Sequence, residues 1–353
     1  MELTSTSFLA VLVGVTALAM LAALLLWNRV PGPGWVRWPA RAVMLGLCQL
    51  TAICVVAAWI NGSYGLYASW DDLLGTGRAA STMTGPPPGR AAFTRGGDGT
   101  LSTYFRVTRS RLAGQVIVWA PPEYDAPGSA KTRFPVLTLL HGYPGSPRSW
   151  VELGSMPAAL EQLVRLGAAH PYILVIPEIY PGGVNTDCSD TPGHKVATWL
   201  AEDVPALVAR HFRTLPGPKG WGLMGVSTGG FCAAKLPLQY PKVFGAGAAL
   251  DPDPLTGDPE VLADPALRER NSPMWLVRRA RTADVGLFLA TSAQDKDSPP
   301  GQLDAFARAA AGTRVRVKTL VRPEGGHNFQ TWSGMYPDAL GWLSTELSPP
   351  GGG

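Results

Sequence analysis

A serine hydroxyl attacks a carbonyl only when a base takes its proton, and that base needs an acid to hold its tautomer and stabilise its charged form. The pentapeptide Gly225-Val226-Ser227-Thr228-Gly229 places a serine where such chemistry is feasible. It follows the apolar run Trp221 to Met224 and opens into Gly230-Phe231-Cys232-Ala233-Ala234-Lys235. A strand that ends in a tight turn and runs straight into a helix lifts one serine into an exposed, strained position, and flanking glycines let the two backbones pass closely. The pentapeptide alone is a weak signal, so the rest of the constellation has to carry the case.

The chain has five histidines, His141, His170, His194, His211 and His327, and only His327 lies after Ser227. That position fits the order nucleophile, acid, base, which makes His327 the candidate base. It stands in Glu324-Gly325-Gly326-His327-Asn328-Phe329, just past the last strand-like run. For the acid, the run Val285 to Thr291 leads into Ser292-Ala293-Gln294-Asp295-Lys296-Asp297. Asp295 is favoured because it follows the strand end closely. Asp297 is the second choice, and Asp251 or Asp253, after the preceding strand, is a further alternative. Acyl transfer also needs donors aimed at the developing oxyanion. The Thr228 amide is one candidate. The loop Leu139-Leu140-His141-Gly142-Tyr143-Pro144-Gly145 supplies the Tyr143 amide as the second, with His141 as a structural residue hydrogen-bonded within its loop. No metal or organic cofactor is implied: the histidines lack ligand spacing, and Cys188 and Cys232 make no zinc pattern.

These residues need a scaffold, and the pattern around them alternates. Leu101 to Val107 and Gln115 to Ala120 read as an antiparallel entry. Pro135 to Leu140, Tyr172 to Ile176, Trp221 to Val226, Phe244 to Leu250, Val285 to Thr291 and Val315 to Val321 then read as short strands. Helical patterns at Val196 to Phe212, Phe231 to Gln239, Leu303 to Ala311 and Asp338 to Leu347 separate most of them. Such alternation predicts an α/β fold with a mostly parallel central sheet, helices on both faces, and the site at the carboxyl ends of the strands.

Taken together, Leu140-His141-Gly142, Gly225-Val226-Ser227-Thr228-Gly229-Gly230 and Gly325-Gly326-His327 with Trp332 after it resemble an esterase family of α/β hydrolases. That family includes feruloyl esterases, S-formylglutathione hydrolase and the secreted mycolyltransferases. The resemblance covers Leu101 to Leu347. It implies the α/β-hydrolase fold, with Ser227 as nucleophile, His327 as base and Asp295 as acid. Two departures stand out. A membrane hairpin replaces a simple secretion signal, and the acid is Asp where the transferases are expected to use Glu. Hydrolysis of a carboxylic ester through an acyl-enzyme is therefore the leading expectation. An acyltransferase serving a cell-envelope acceptor is the alternative, and a catalytically silent envelope-binding module is a third.

Composition adds a compartment. The chain is 46% hydrophobic and only 16% charged, apolar for a protein wholly in water. Phe8 to Trp27 carries no charge and, at about 1.5 Å per residue, spans roughly 30 Å, the thickness of a bilayer core. Ala42 to Ile60 does the same. A cleaved signal peptide is the rival reading of the first run, but a basic leading segment is missing and the run is long. Arg29, Arg37 and Arg41 lie between the runs, so the positive-inside rule puts that loop in the cytoplasm and the remainder outside. Tyr64, Tyr67 and Trp70 suit the interface depth. The absence of ionisable groups within the runs argues against a transport path. Outside the cytoplasm Cys188 and Cys232 can bridge, fixing the loop Asn185 to Gly193 beside Ser227. The net charge of +4 is scattered, with no nucleic-acid footprint. The expected organisation is a transmembrane hairpin (1–61), an interface segment and linker (62–100), a catalytic domain (101–347) and a disordered tail (348–353). The expected partners are a membrane and a small-molecule or lipid ester.

Overall fold

The computed structural model describes residues 6–64, 92–107 and 109–352. It divides into two units, Met1–Ala79 and Ala80–Gly353. The first holds α1 (Thr6–Leu26) and α2 (Gly34–Tyr64). Over Ser7–Leu26 and Gly34–Ile60 these helices are long and apolar enough to cross a membrane by length and composition. Their side chains stay largely uncovered, with Leu18, Leu24, Ile53 and Trp59 all exposed. The turn between them is closed at Arg41, whose Nε donates to the Trp27 carbonyl at 3.1 Å while its guanidinium lies over the Trp27 ring. Residues 65–91 fall outside the description, so Tyr67, Trp70 and the proline stretch expected as a linker lie there.

Among the described residues the second unit is built on a nine-stranded sheet: β1 (Thr94–Arg95), β2 (Leu101–Arg106), β3 (Ala113–Trp119), β4 (Val136–Leu140), β5 (Ile173–Pro177), β6 (Trp221–Val226), β7 (Ala246–Leu250), β8 (Gly286–Ser292) and β9 (Arg316–Arg322). Their order across the sheet is β1-β2-β3-β5-β4-β6-β7-β8-β9. The β1, β2 and β3 end is antiparallel and β4 to β9 run parallel. Every residue of β4, β5, β6, β7 and β8 is buried, which is why these strands read as unbroken apolar runs.

Side-chain alternation sends neighbours to opposite faces. Val116, Val118, Ile173, Val175 and Leu223 join Trp199, Leu200, Val204 and Phe231 on one face. Ile117, Leu174, Ile176, Met224 and Val226 join Trp150, Leu160, Tyr336 and Leu340 on the other. The fold is thus an α/β sandwich covered on both faces, the α/β-hydrolase architecture expected from the motifs. The chain leaves β4 for one side of the sheet and later returns to its other side as β6. That switch opens a crevice at the carboxyl ends of β4 and β6, just where Leu140 leads into His141 and Val226 into Ser227.

Some boundaries differ from expectation. The stretch Val196 to Phe212, expected as one helix, contains a wide turn at Trp199–Asp203 between Val196–Thr198 and α4 (Val204–His211), which follows α3 (Met156–Arg165). After α5 (Thr228–Gln239) and α6 (Pro300–Ala310), the last helix, α7 (Phe329–Glu346), begins well before the expected Asp338. Asn328 starts it by accepting the Thr331 amide at 3.0 Å, and Pro337 inside the helix hides this early start from a reading of the sequence. The sheet also starts at Thr94, ahead of residue 101. The tail expected to be disordered is ordered through Gly352: Gly351–Gly352 pairs antiparallel with Thr132–Arg133, and the Ser348 amide donates to the Lys219 carbonyl.

Candidate active site

Ser227 sits between β6 and α5 at φ 56°, ψ −123°, a conformation that a non-glycine residue adopts at a cost of about 1–3 kcal/mol. The glycines around it are obligatory for space. A Cβ on Gly225 would come within 2.0 Å of the Gly229 carbonyl oxygen, and one on Gly229 within 2.0 Å of the Leu140 carbonyl oxygen. The strand, turn and helix can therefore close on one another only as the sequence writes them.

His327, in the loop between β9 and α7, reaches this turn. Its Nε2 lies 2.8 Å from Ser227 Oγ and its Nδ1 lies 2.8 Å from Asp295 Oδ2. With Nδ1–H donating to the carboxylate, Nε2 presents a lone pair that accepts from the serine hydroxyl. Asp295 is held in turn: its Oδ1 accepts the backbone amides of Asp297 at 2.8 Å and Ser298 at 3.0 Å. Burial opposes ionisation of Asp295, but His327 and the two amides outweigh it and hold the carboxyl below its ordinary value. Burial likewise opposes the charged form of His327, yet Asp295, with help from Asp251 and Asp253, raises its imidazole above the ordinary 6.5.

The other candidate acids occupy distinct places. Asp251, at φ 42° and fully buried, accepts the Trp332 indole N–H at 2.7 Å. Trp332 in turn packs edge-on against the His327 ring. Burial, reinforced by the nearby Asp295, lifts Asp251 to about 6. Asp297 is exposed and contributes its amide to Asp295. Asp253 lies on the far side of the serine, with Oδ1 3.0 Å from Ser227 Oγ and Oδ2 accepting the Thr228 hydroxyl at 2.5 Å. Asp251, Asp295 and His327 bring potential metal-ligand atoms within 4.8 Å of one another. Asp295 and His327 are bonded to each other and Asp251 Oδ2 to Trp332, while Asp251 Oδ1 makes no hydrogen bond of good geometry.

The loop after β4 closes the top of the crevice. His141 is fully buried, its Nδ1 2.9 Å from the Gly142 carbonyl and its Nε2 accepting the Ile179 amide at 3.3 Å, so the ring braces the loop. Gly142 presses on Ser227: a Cβ there would stand 3.1 Å from that of the serine. The next residue is Tyr143, whose exposed ring meets Tyr180 edge-on. Thr228 is the first residue of α5, where a backbone amide has no partner within the helix.

Cys188 and Cys232 form a disulfide with Cα atoms 5.8 Å apart. A second clamp lies one turn further along α5 and escaped the sequence reading. Lys235 is fully buried, and its Nζ donates to the Asp187 carbonyl at 2.7 Å, the Cys188 carbonyl at 3.0 Å and Ser189 Oγ at 2.6 Å. Burial lowers its ammonium to about 7. A lysine inside the otherwise apolar first turns of the elbow helix was the available signal. Together the two clamps hold Asp187 and Cys188, both at φ 49°, against the helix that carries the serine.

A strained serine at the switch point of a doubly covered sheet, hydrogen-bonded to a histidine that an aspartate orients, defines an α/β hydrolase. The family described as "Putative esterase" matches residues 113–343, and the chain belongs to it. An uncharacterised protein of Corynebacterium glutamicum is 26% identical over 253 residues, 66% of this chain and 57% of that protein, so the chain spans little more than half of that relative's length. Among solved structures, a ferulic acid esterase superposes with a TM-score of 0.58 at 21% identity, covering 70% of this chain and 98% of the other. An S-formylglutathione hydrolase from Agrobacterium tumefaciens superposes with a TM-score of 0.57 at 20% identity, covering 73% and 99%.

Proposed function

We propose that this protein is a membrane-anchored serine esterase whose catalytic unit faces away from the cytoplasm. The observation that carries the reading is the continuous hydrogen-bonded chain Ser227–His327–Asp295 on an elbow that strains the serine. In this reading Ser227 Oγ attacks an ester carbonyl while His327 Nε2 takes its proton. The amides of Tyr143 and Thr228 receive the oxyanion. The C–O bond to the alcohol breaks as His327 returns the proton to the departing oxygen, leaving an acyl-serine. Water, deprotonated by the same imidazole, then releases the acid and restores Ser227. Asp295 orients His327 and stabilises its charged form throughout.

Anchoring is supported by the two apolar helices, and the outward orientation by the arginines between them together with the Cys188–Cys232 bridge, since disulfides persist in oxidising compartments. An acyl-enzyme also serves transfer to an alcohol, and product analysis with competing alcohols separates the two outcomes. The test of the core reading is fluorophosphonate labelling of the full chain in neutral detergent, with the modified peptide located by mass spectrometry. Label on Ser227, lost in Ser227→Ala and strongly reduced in His327→Ala, is the expected result. A folded protein that takes no label refutes the reading and favours a silent binding module.

A further inference from the structure

Asp253 is the carboxylate that the relay leaves over. It contacts the nucleophile itself, yet its partners are hydroxyls: Ser227 Oγ at 3.0 Å and Thr228 Oγ1 at 2.5 Å. Unlike Asp251 and Asp295, it keeps a partly exposed face. Behind it stand two polar groups without a well-formed hydrogen bond. Neither carboxylate oxygen of Asp187, which is 1% exposed, nor the hydroxyl of Tyr180, which is 6% exposed, makes a hydrogen bond of good geometry, their polar partners being the Asp258 amide and the Thr228 side chain. Asp187 and Asp253 each act electrostatically on Tyr180, and Asp258 acts on both of those carboxylates, so the four share one small region beside the serine. Among the described residues no cation forms an ion pair with this set, although Lys235 offsets part of the Asp187 charge and burial raises Asp187 to about 7. His327 is bonded to Ser227 and Asp295, and all three of the Lys235 donors serve the Asp187–Ser189 loop.

A productive ester must bring its carbonyl carbon to about 3–3.5 Å from Ser227 Oγ. Its nearest substituents then lie beside a carboxylate 3.0 Å from the same oxygen. We propose that Asp253, backed by Asp187, is a specificity-determining residue that selects esters carrying a protonated amine close to the scissile bond and rejects those carrying an anion there. The inference rests on the serine esterase reading above and deepens it. It also gives the contact with Ser227 a purpose. A serine hydroxyl has one proton, and while it points at Asp253 it is not donated to His327. An ammonium group that takes Asp253 Oδ1 as its acceptor turns the serine proton back to the imidazole, so the favoured substrate both binds and activates. A neutral ester leaves that competition in place. An anionic one adds like-charge repulsion in a poorly solvated site. Two ester geometries supply the same ammonium, an aminoacyl group on the acid side or an amino alcohol on the leaving side.

The test is kcat/KM for the full chain in neutral detergent near pH 7, each value corrected for spontaneous hydrolysis. The acid-side arm compares the alanine, propionate and hemisuccinate esters of 4-nitrophenol. The leaving-side arm compares propionyl esters of ethanolamine and of propanol. The expected result is a preference of about tenfold to a hundredfold for the ammonium-bearing ester over its neutral counterpart in at least one arm, the scale of a charge-assisted hydrogen bond, with hemisuccinate slowest. In Asp253→Asn that ratio falls toward one, and because it is a ratio it cancels any loss common to both substrates. No ammonium preference in either arm, or a preference that Asp253→Asn keeps, overturns the proposal. If Asp253→Asn fails to fold, the wild-type values decide once each is divided by that ester's own hydroxide-catalysed rate constant, which cancels the greater intrinsic reactivity of the α-ammonium ester. Fluorophosphonate label on Ser227 with no ammonium preference refutes the subsite while leaving the esterase intact. No label and no hydrolysis of any ester removes both.

Discussion

The loops that leave β7 and β8 each deliver carboxylates to the same few ångströms, and they use them in opposite ways. After β8, Asp295 is buried, bonded to His327 Nδ1 and satisfied by two backbone amides. After β7, Asp253 meets only hydroxyls and keeps a face to solvent, and Asp251 is turned away onto an indole. Proximity to the histidine is common to the three. What differs is the partner, and the partner fixes the protonation each carboxyl favours: Asp295 is held below its ordinary value, while burial raises both Asp251 and Asp253. A carboxylate that must orient a base needs donors of its own. One held only by hydroxyls, which can turn to other acceptors, is free to meet a substrate.

The sharpest way to break this contrast is Asp295→Asn. The amide cannot accept Nδ1–H in the required tautomer without reorganising, and loss of about 10⁴ in kcat is expected, the scale known for the equivalent change in the serine protease triad. A loss below about tenfold would hand the role of acid to Asp251. The pH profile sharpens the same point. His327 must be neutral to act as base and its imidazole is raised above 6.5, so kcat/KM should fall on the acid side with a midpoint above that value, by about tenfold per pH unit below it. Removing a neighbouring anion disfavours the imidazolium, so each substitution should move that midpoint to lower pH. The shift should be largest for Asp295→Asn, smaller for Asp251→Asn and smallest for Asp253→Asn, following the order in which these groups act on the ring. Equal shifts would mean that the three carboxylates are interchangeable.

Much of this site was legible in the sequence because its parts are local. The elbow is a pentapeptide whose glycines are required because a Cβ at Gly225 or Gly229 would stand 2.0 Å from a backbone oxygen, and each strand buried on both faces leaves a continuous apolar run. His327 and Asp295 could be named because each closely follows such a run. The separate positions of Asp251, Asp253 and Asp297 could not be read, since they depend on how a loop turns after the strand: Asp251 at φ 42° points to Trp332, while two residues on the chain returns to Ser227. The early start of α7 was hidden by Pro337, and the clamp at Lys235 by its distance in sequence from the loop it holds, residues 187–189. Burial of a lysine is a tertiary fact that composition does not carry.

Asp251→Ala carries the comparison from catalysis to stability. The variant leaves the Trp332 indole N–H, in a buried setting, without its acceptor, at an expected cost of about 1–3 kcal/mol in unfolding free energy. Asp297→Ala, which removes an exposed side chain but keeps the amide that holds Asp295, should change stability by less than about 0.5 kcal/mol. Denaturant melts of the two variants against wild type check both figures. Equal losses would mean that the loop after β8 depends on the Asp297 side chain as well as on its backbone.

The smallest effect on the chemistry is expected from the clamp. Cys188→Ser with Cys232→Ser opens the bridge but leaves the three Lys235 hydrogen bonds to the same loop. Stability should fall by about 2–4 kcal/mol, because the unfolded chain gains the freedom of a loop 44 residues long. Fluorophosphonate labelling of Ser227 in the folded double variant should proceed at a rate close to wild type, since neither sulfur belongs to the hydrogen-bonded chain. Lys235→Met is the complementary change. It leaves the bridge but strips three acceptors of their donor, two of them carbonyls of residues at φ 49°. Asp187 would then relax away from Asp253. If the selectivity for ammonium esters survives the loss of the disulfide but weakens in Lys235→Met, the lysine is what holds the acidic side of the site in place and the bridge only limits how far the loop can open. The reverse pattern would assign that positioning to the disulfide, and the His327–Asp295 pair, carried on the loops after β9 and β8, should be indifferent to both.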